Sequence, residues 1–500
     1  MKNKIIYGIL LFLIILISFV NILFFMRFDI LTEHDLGYLY NRDFFNPEHG
    51  RYLATFLGSL VTERIPNLLN MHTNDFQPIY SAGIKGIFVI LMCIVIANSG
   101  FLFKKDNSQK FLNSAYISTY AIVYLLLFNC FFFYENRQFE VYFNILENTV
   151  FFEYPLSILW YTILISSLCY FWINKKDISI PKYILLLLNT FMVGISVEII
   201  NLPTLCSLSC FLIILLIKKK DELEKTLFKK FICLYLTFIA GFTAYFIKPN
   251  DNTISYDNLI LEDWIRLKFF DFLKDYFQNF ILNHSILVIF SIILIVVILY
   301  INKIKQRRNS LEFPIFIFIN FFSLLTFYFS LFLLGVNEDS GYFYIDIFKW
   351  QNIYKTITLF YFILIIGYFI DSTLNIESKN SNKIKTILCV FILLIFNQNL
   401  VVDYHSNMQK YRYKAQKLRE KTYICEKEFL KKYNSGEREI TITLPKEYET
   451  YFNQGDTFFN NSYVENVLKL DGNLVSIIFS EKFLLHEYTQ DELNKLKFKK

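Results

Sequence analysis

The chain has 500 residues, 54% of them hydrophobic, with 57 Phe, 34 Tyr and a mean hydropathy of +0.37. That is too apolar for an ordinary water-soluble enzyme and reads as a multi-pass membrane protein. The formal net charge of +6 does not point to nucleic acid, because the lysines form short clusters between apolar runs, where they act as topology signals.

The first apolar run, residues 5–26, is long enough to cross a bilayer. Lys2 and Lys4 precede it, and it ends in Phe24-Phe25-Met26-Arg27 without a small-residue cleavage signal. It is therefore expected to stay attached as a signal anchor, with the loop that follows outside the cytoplasm. That loop, 27–83, opens on Glu33-His34-Asp35. In an extended segment Glu33 and Asp35 project to one side and His34 to the other, so both carboxylates can face one cavity. Two carboxylates that close raise the pKa of one of them, which suits a general base. The plainer reading is a solvated acidic turn. Further along the loop lie Arg51 and Arg64, cations of the kind that hold a phosphate. His34, His49 and His72 are three of the six histidines, and with Glu48 and Asp75 they make a divalent metal conceivable, although the spacing matches no ligand motif. An amphipathic stretch, Leu53, Phe56, Leu57, Leu60 and Leu68, either lies in the membrane interface or packs over the bundle.

Further apolar runs follow at 84–103, 111–133, 156–173, 183–200, 202–217, 231–247, 285–301, 314–334, 353–370 and 386–402, giving about eleven spanning helices. Basic clusters at 104–105, 175–176, 218–220, 303–308 and 383–385 fall on alternate connections, which places those connections in the cytoplasm and the C-terminus outside it. The opposite connections are longer and more acidic. The second of them carries Glu135, Arg137, Glu140, Glu147 and Glu153. Arg137 is a candidate phosphate ligand and Glu153 a candidate acceptor contact, against the plainer reading of solvated loop charges. The third contains another amphipathic stretch, from Leu261 to Phe280.

Pro155, Pro181 and Pro314 are expected at helix starts, where a missing N–H does no harm. Glu198 is expected at the end of the 183–200 helix, just before a tight Asn201-Leu202-Pro203 connection, as an ionisable group near the outer mouth of the bundle. Most of the eight cysteines fall in expected spans, with no CxxC or Cys/His metal spacing. Cys425 lies outside them. After Val402 the pattern becomes a basic helix near 408–433, a Ser435-Gly436 break and an alternating strand at Ile440, Ile442 and Leu444 ending at Pro445. The expected architecture is an all-α polytopic membrane bundle over 1–402, with a small extracytoplasmic α+β region over 403–500.

No P-loop or Rossmann glycine pattern is present. An enzyme acting on sugars outside the cytoplasm would draw on a lipid-linked donor. Such transfer needs a carboxylate to take the acceptor proton and cationic groups to hold the leaving phosphate. On Glu33-His34-Asp35 in the first outer loop, Gly50-Arg51 further along it and the small outer tail, the chain resembles the GT-C superfamily of multi-pass glycosyltransferases, in particular a group of largely uncharacterised bacterial members. The resemblance implies Asp35 as general base, Glu33 as its partner in acceptor or metal binding, and Arg51 as a phosphate ligand. It also implies a polyprenyl-phosphate sugar donor and a glycan or lipid acceptor in the cell envelope. The Trp-Trp-Asp signature of oligosaccharyltransferases is missing, so protein glycosylation is not implied. The rival readings are an O-antigen polymerase or ligase, for which the outer arginines are sparse, a lipid or polysaccharide transporter using Glu198, and a noncatalytic envelope-assembly protein.

Overall fold

A computed structural model describes residues 2–26, 56–58, 60–68, 77–103, 114–132, 151–152, 155–174, 179–196, 198–218, 222–246, 313–320, 356–369, 423–443 and 476–479, together with Val296, Ile387, Lys417, Glu420 and Lys421. These residues are predominantly helical. In chain order the helices are α1 (Lys2–Met26), a π-helical turn (Leu60–Arg64) running into α2 (Ile65–Leu68), α3 (Gln77–Ser99), α4 (Ser114–Phe132), α5 (Pro155–Asn174), α6 (Ile180–Gly194), α7 (Glu198–Lys218) and α8 (Glu222–Phe246). Further helical segments cover 313–320 and 356–369. Within the described residues, four helices contain stretches long and apolar enough to cross a membrane: Ile5–Leu23, Tyr80–Ser99, Pro155–Trp172 and Ile200–Ile217. The expected spans over 285–301 and 386–402 lie almost wholly outside the described residues.

Contacts between the helices fix which ends lie together. Gly83 of α3 faces Leu23 of α1, and Gly86 faces Phe19 and Ile22, so α1 and α3 run antiparallel and both ends of the 27–76 connection sit at one end of the bundle. The Phe101 and Tyr116 rings meet 5.6 Å apart, so α4 returns antiparallel to α3. Phe88 lies 6.1 Å from Phe152, placing the start of α5 beside the first half of α3. Asn189 donates its amide to the Trp160 carbonyl at 3.1 Å, so α6 runs back along α5. Tyr183 donates to the Lys230 carbonyl and Gly194 abuts Gly241, so α8 runs parallel to α6. The connections 27–76, 133–154 and 195–197, and the chain beyond Phe246, therefore all leave at the same end, called here the working end. The basic connections 104–113, 175–178 and 219–221 lie at the other end, in the alternation that the charges foretell.

Pro155 and Pro181 stand in the first turns of α5 and α6, as expected, and Pro314 is helical within the 313–320 segment, whose start lies outside the described residues. The expected Asn201-Leu202-Pro203 connection is wrong. The break comes at 195–197, and Pro203 is inside α7. Ile195 and Ser196 donate backbone N–H groups to the Phe191 and Val193 carbonyls, and the Asn201 amide donates to the Ser196 carbonyl at 3.0 Å. These bonds close α6 and tie it to α7. Apolar residues run straight through this junction, so hydropathy places the boundary too late. Pro203 is the sixth residue of α7, beyond the orphan N–H groups of the first turn, so it forgoes the i→i−4 hydrogen bond that this position would make to the Ile199 carbonyl.

The core is rich in aromatic rings, including Tyr116, Tyr120, Tyr161, Tyr361, Phe101 and Phe151, all fully buried. A chain of hydrogen bonds crosses it. Asn320 Oδ1 accepts from Ser207 Oγ at 3.1 Å and from Tyr361 at 3.2 Å. Tyr361 also meets Tyr161 at 2.8 Å. With the Tyr361 proton committed to Asn320, Tyr161 is the donor in that last bond. Asn320→Leu is expected to cost roughly 1–3 kcal/mol, because it removes the acceptor of two hydrogen bonds from other helices, each worth about 0.5–1.5 kcal/mol. Thermal unfolding in detergent measures this, and an unchanged midpoint would show that the network adds nothing.

Beyond the bundle, helical residues 423–434 lead through Gly436, whose φ of 91° suits glycine in a reversing turn, into β1 (Glu439–Ile442). Its alternating burial puts Ile440 and Ile442 inside, as the sequence pattern foretells. β1 pairs in parallel with β2 (Ser476–Phe479), Ile440 opposite Ile477. Cys425 is buried, and desolvation pushes its thiol up to about 12 despite the opposing field of Lys421. The folded chain therefore keeps this thiol protonated where the unfolded chain would ionise, so its contribution to stability is present below the unfolded value and is lost as pH rises from about 9 to about 12. At pH 8 a maleimide is expected to leave Cys425 unmodified in the folded protein and to label it after denaturation, as peptide mass mapping would show.

Candidate functional site

The acidic pair Glu33 and Asp35, with His34, Arg51, Arg137 and Glu153, lies outside the described residues, as do His49, His72, Glu48 and Asp75. The structure places the ends of their connections. Both loops that hold these residues leave the bundle at the working end. Arg64 is exposed at the end of the π-helical turn. Glu198 is the first residue of α7, at that same end, so it opens a helix where the sequence suggests that it closes one. The structure thus gathers the connections bearing the candidate residues, and of the residues themselves it positions Arg64 and Glu198.

The π-helical turn packs on the bundle through Val61, 3% exposed and part of the core, while Leu57 lies against that core and Leu68 is 81% exposed. The amphipathic stretch therefore covers the bundle at one end of its length and leaves an apolar side chain bare at the other.

Beneath this cover lies a polar layer. Lys85, in the third turn of α3, is 0% exposed, and Ser81, one turn earlier, is 2% exposed. Gly86 places this level of α3 against Phe19 and Ile22 of α1. At that level of α1 the Asn21 amide donates to the Tyr124 hydroxyl of α4 at 3.0 Å, and Tyr124 donates to the Ser18 carbonyl at 3.2 Å. Three helices thus bring lysine, serine, asparagine and tyrosine to one depth. Phe88, one turn beyond Lys85, closes the layer below with Phe151 and Phe152 at 6.4 and 6.1 Å. Tyr80 OH in the first turn of α3, Asn201 Oδ1 in the first turn of α7, and Trp160 Nε1 and Asn189 Oδ1, which lie deeper than the Phe88–Phe152 contact, are buried without a hydrogen-bond partner among the described residues. Buried polar atoms are ordinarily satisfied, so these four are ready to meet a hydroxylated ligand or water.

Lys85 is the residue that sequence reasoning misses. One lysine barely lowers the hydropathy of a long run, and an apolar reading starts the span at residue 84, leaving Lys85 at its edge. The helix begins at Gln77, with Pro78 in its first turn. That Gln-Pro start, well before the apolar run, is the signal that would have placed Lys85 inside the span. A charged side chain there costs about 3 kcal/mol and tends to be kept for function.

Comparison with protein-family models, with curated proteins and with solved structures finds no match.

Proposed function

We propose that the chain is a GT-C-type glycosyltransferase of a bacterial cytoplasmic membrane, with about eleven spans, its N-terminus cytoplasmic and its C-terminal region outside. The observation that carries this reading is the convergence at the working end. The connection with Glu33 and Asp35, the connection with Arg137 and Glu153, the start of α7 at Glu198 and the buried Lys85 layer all belong to one end of the bundle. Basic connections occupy the other. This separation is what a site needs if it takes a substrate from the bilayer and reacts it at the water boundary.

In the proposed reaction an acceptor hydroxyl gives its proton to the Asp35 carboxylate as its oxygen attacks the anomeric carbon of a polyprenyl-phosphate sugar. The bond from that carbon to the phosphate oxygen breaks, and the lipid phosphate leaves with the electron pair. Arg51, Arg64 and Arg137 neutralise the phosphate, Glu33 and His34 hold the acceptor beside Asp35, and Glu153 and Glu198 contact sugar hydroxyls. A divalent metal at the acidic pair is compatible with this scheme and no step requires it. Tyr80 OH, buried in the first turn of α3 without a hydrogen-bond partner among the described residues, supports a hydroxylated ligand near the same end.

The test is mass spectrometry of surface glycans and lipids from a deletion strain and its complemented counterpart. Loss of one sugar increment on deletion, restored by the gene, is the expected result. Unchanged covalent structures with altered glycan location would replace transfer by transport.

A further inference from the structure

We propose that Cys206 and Cys210 of α7 form a dithiol site, open to the bilayer, that binds a neutral trivalent organoarsenical. The two residues stand one turn apart, so their side chains share a face of the helix, and their thiols hydrogen-bond each other. Neither is in a disulfide, and both are half-buried. Among the described residues no other helix carries two cysteines.

The rest of α7 fixes which way this face points. Ser207 donates to Asn320 at 3.1 Å on the buried side of the helix, where Leu208, Phe211 and Leu215 are buried with it. On the other side, Ile213 is seven residues beyond Cys206 and Ile217 seven beyond Cys210, and both are more than half exposed. Residues so spaced lie on one stripe of a helix. Cys206 is on that stripe, and Cys210 is at its edge, where it also packs against the core. The span Ile200–Ile217 is long and apolar enough to cross a membrane, and the two thiols start about 12 and 18 Å along its axis from Glu198. A side chain exposed at that depth meets lipid tails, so the ligand arrives through the hydrocarbon.

The chemistry of the pair narrows the ligand. Cβ atoms one turn apart are about 5–6 Å from each other, beyond the roughly 3.5–4.5 Å that a disulfide spans. Direct oxidation would distort the helix, whereas one large atom between the sulfurs closes the gap. A soft monovalent cation held by two thiolates would leave a net charge in the hydrocarbon, which is costly. An arsenoxide avoids both difficulties. Each thiol gives its proton to the arsenoxide oxygen, two arsenic–sulfur bonds form, the bond from arsenic to oxygen is lost and one water leaves. Arsenic stays trivalent, no oxidant or reductant takes part, and the product is uncharged. The second sulfur closes on an arsenic already held by the first, at high effective concentration, which separates this pair from any single cysteine. None of this depends on the transfer reading.

The experiment uses the full chain in phosphatidylcholine nanodiscs with phenylarsine oxide as the probe, a wash with excess 2-mercaptoethanol, and intact mass spectrometry. The wild type is expected to keep one phenylarsenic adduct through the monothiol wash and to release it to 2,3-dimercaptopropanol. Cys206→Ser and Cys210→Ser are each expected to lower the retained adduct by about tenfold or more, since a single thiol loses the advantage of the closed ring. Cys233→Ser, which removes the exposed thiol of α8, is expected to leave it unchanged. Full retention by either α7 variant overturns the inference, as does loss of the wild-type adduct to the monothiol. An arsenoxide conjugated to glutathione is charged and confined to water, and it is expected to be retained about tenfold less or lower than phenylarsine oxide. Equal retention of the two probes overturns the bilayer-facing site. Should an α7 variant fail to fold, tandem mass spectrometry of the wild-type adduct decides. Arsenic bridging both cysteines of one α7 peptide upholds the site, and arsenic bridging cysteines of other segments removes it.

Discussion

Replacing Asp35 by Asn is expected to lower sugar transfer by about 10²–10⁴-fold, the range that a positioned general base contributes, without lowering the amount of protein in the membrane. The amide keeps the shape of the carboxylate and removes its capacity to accept a proton. An unactivated hydroxyl must then attack the anomeric carbon alone. Asp35 lies in the connection between α1 and α3, and those helices hold each other through Gly83, Gly86, Leu23, Phe19 and Ile22, none of which the substitution replaces. The thermal midpoint should therefore stay within error of wild type while the glycan increment disappears. Asp35→Glu keeps the base on a longer stem and is expected to retain a measurable fraction. Full complementation by Asp35→Asn would remove Asp35 from the chemistry and with it the mechanism given above.

The second large effect concerns stability. Gly194→Val is expected to cost about 1–3 kcal/mol or more, the range for forcing extra atoms into a packed interior. A Cβ on Gly194 would meet the Phe238 carbonyl oxygen at 2.6 Å and the Phe242 nitrogen at 2.9 Å, and one on Gly241 would meet the Phe191 carbonyl oxygen at 2.6 Å. These neighbours are backbone, so no rotamer change relieves the clash and α6 must move away from α8. Close backbone approach through small residues is a common way for helices to associate in a membrane, where the hydrophobic effect does not drive them together. Gly83→Ala provides the contrast, since its nearest neighbour is the flexible Leu23 side chain at 3.9 Å. Unfolding followed by tryptophan fluorescence should show a lowered midpoint for Gly194→Val and an unchanged one for Gly83→Ala. Equal midpoints would mean that the α6–α8 contact yields more readily than its geometry implies.

The helices and their alternation are legible in the sequence because both follow from local rules: length and apolarity make a span, and clustered lysines choose its side. What escapes is whatever depends on the partner. The α6–α7 junction is invisible to hydropathy because Ile195, Val197, Ile199 and Ile200 keep the run apolar, and only Gly194, Ser196 and Asn201, whose amide bonds back to the Ser196 carbonyl, mark the break. α8 reaches back to Glu222 through about two and a half turns rich in charge, where Tyr183 donates its hydroxyl to the Lys230 carbonyl and has the Lys230 ammonium 5.6 Å from its ring centroid. The candidate site divides in the same way. Glu33, Asp35 and Arg51 stand out as charges in a loop. Lys85 stands out only once the structure shows it fully buried.

The hydrogen-bonded chain through Tyr161, Tyr361, Asn320 and Ser207 also sets a timetable for biogenesis. Tyr161 leaves the ribosome 200 residues before its partner, an interval of roughly 10–40 s at ordinary elongation rates. During that interval Tyr161 and Ser207 stand in a nascent bundle without the groups that they will bond. Ser207 meets its partner when the 313–320 segment arrives, and Tyr161 meets Tyr361 only with the 356–369 helix. Closure of the interior is therefore a late, post-insertional event, and a chain cut short before residue 356 would present an unsealed polar seam to the quality-control proteases of the membrane.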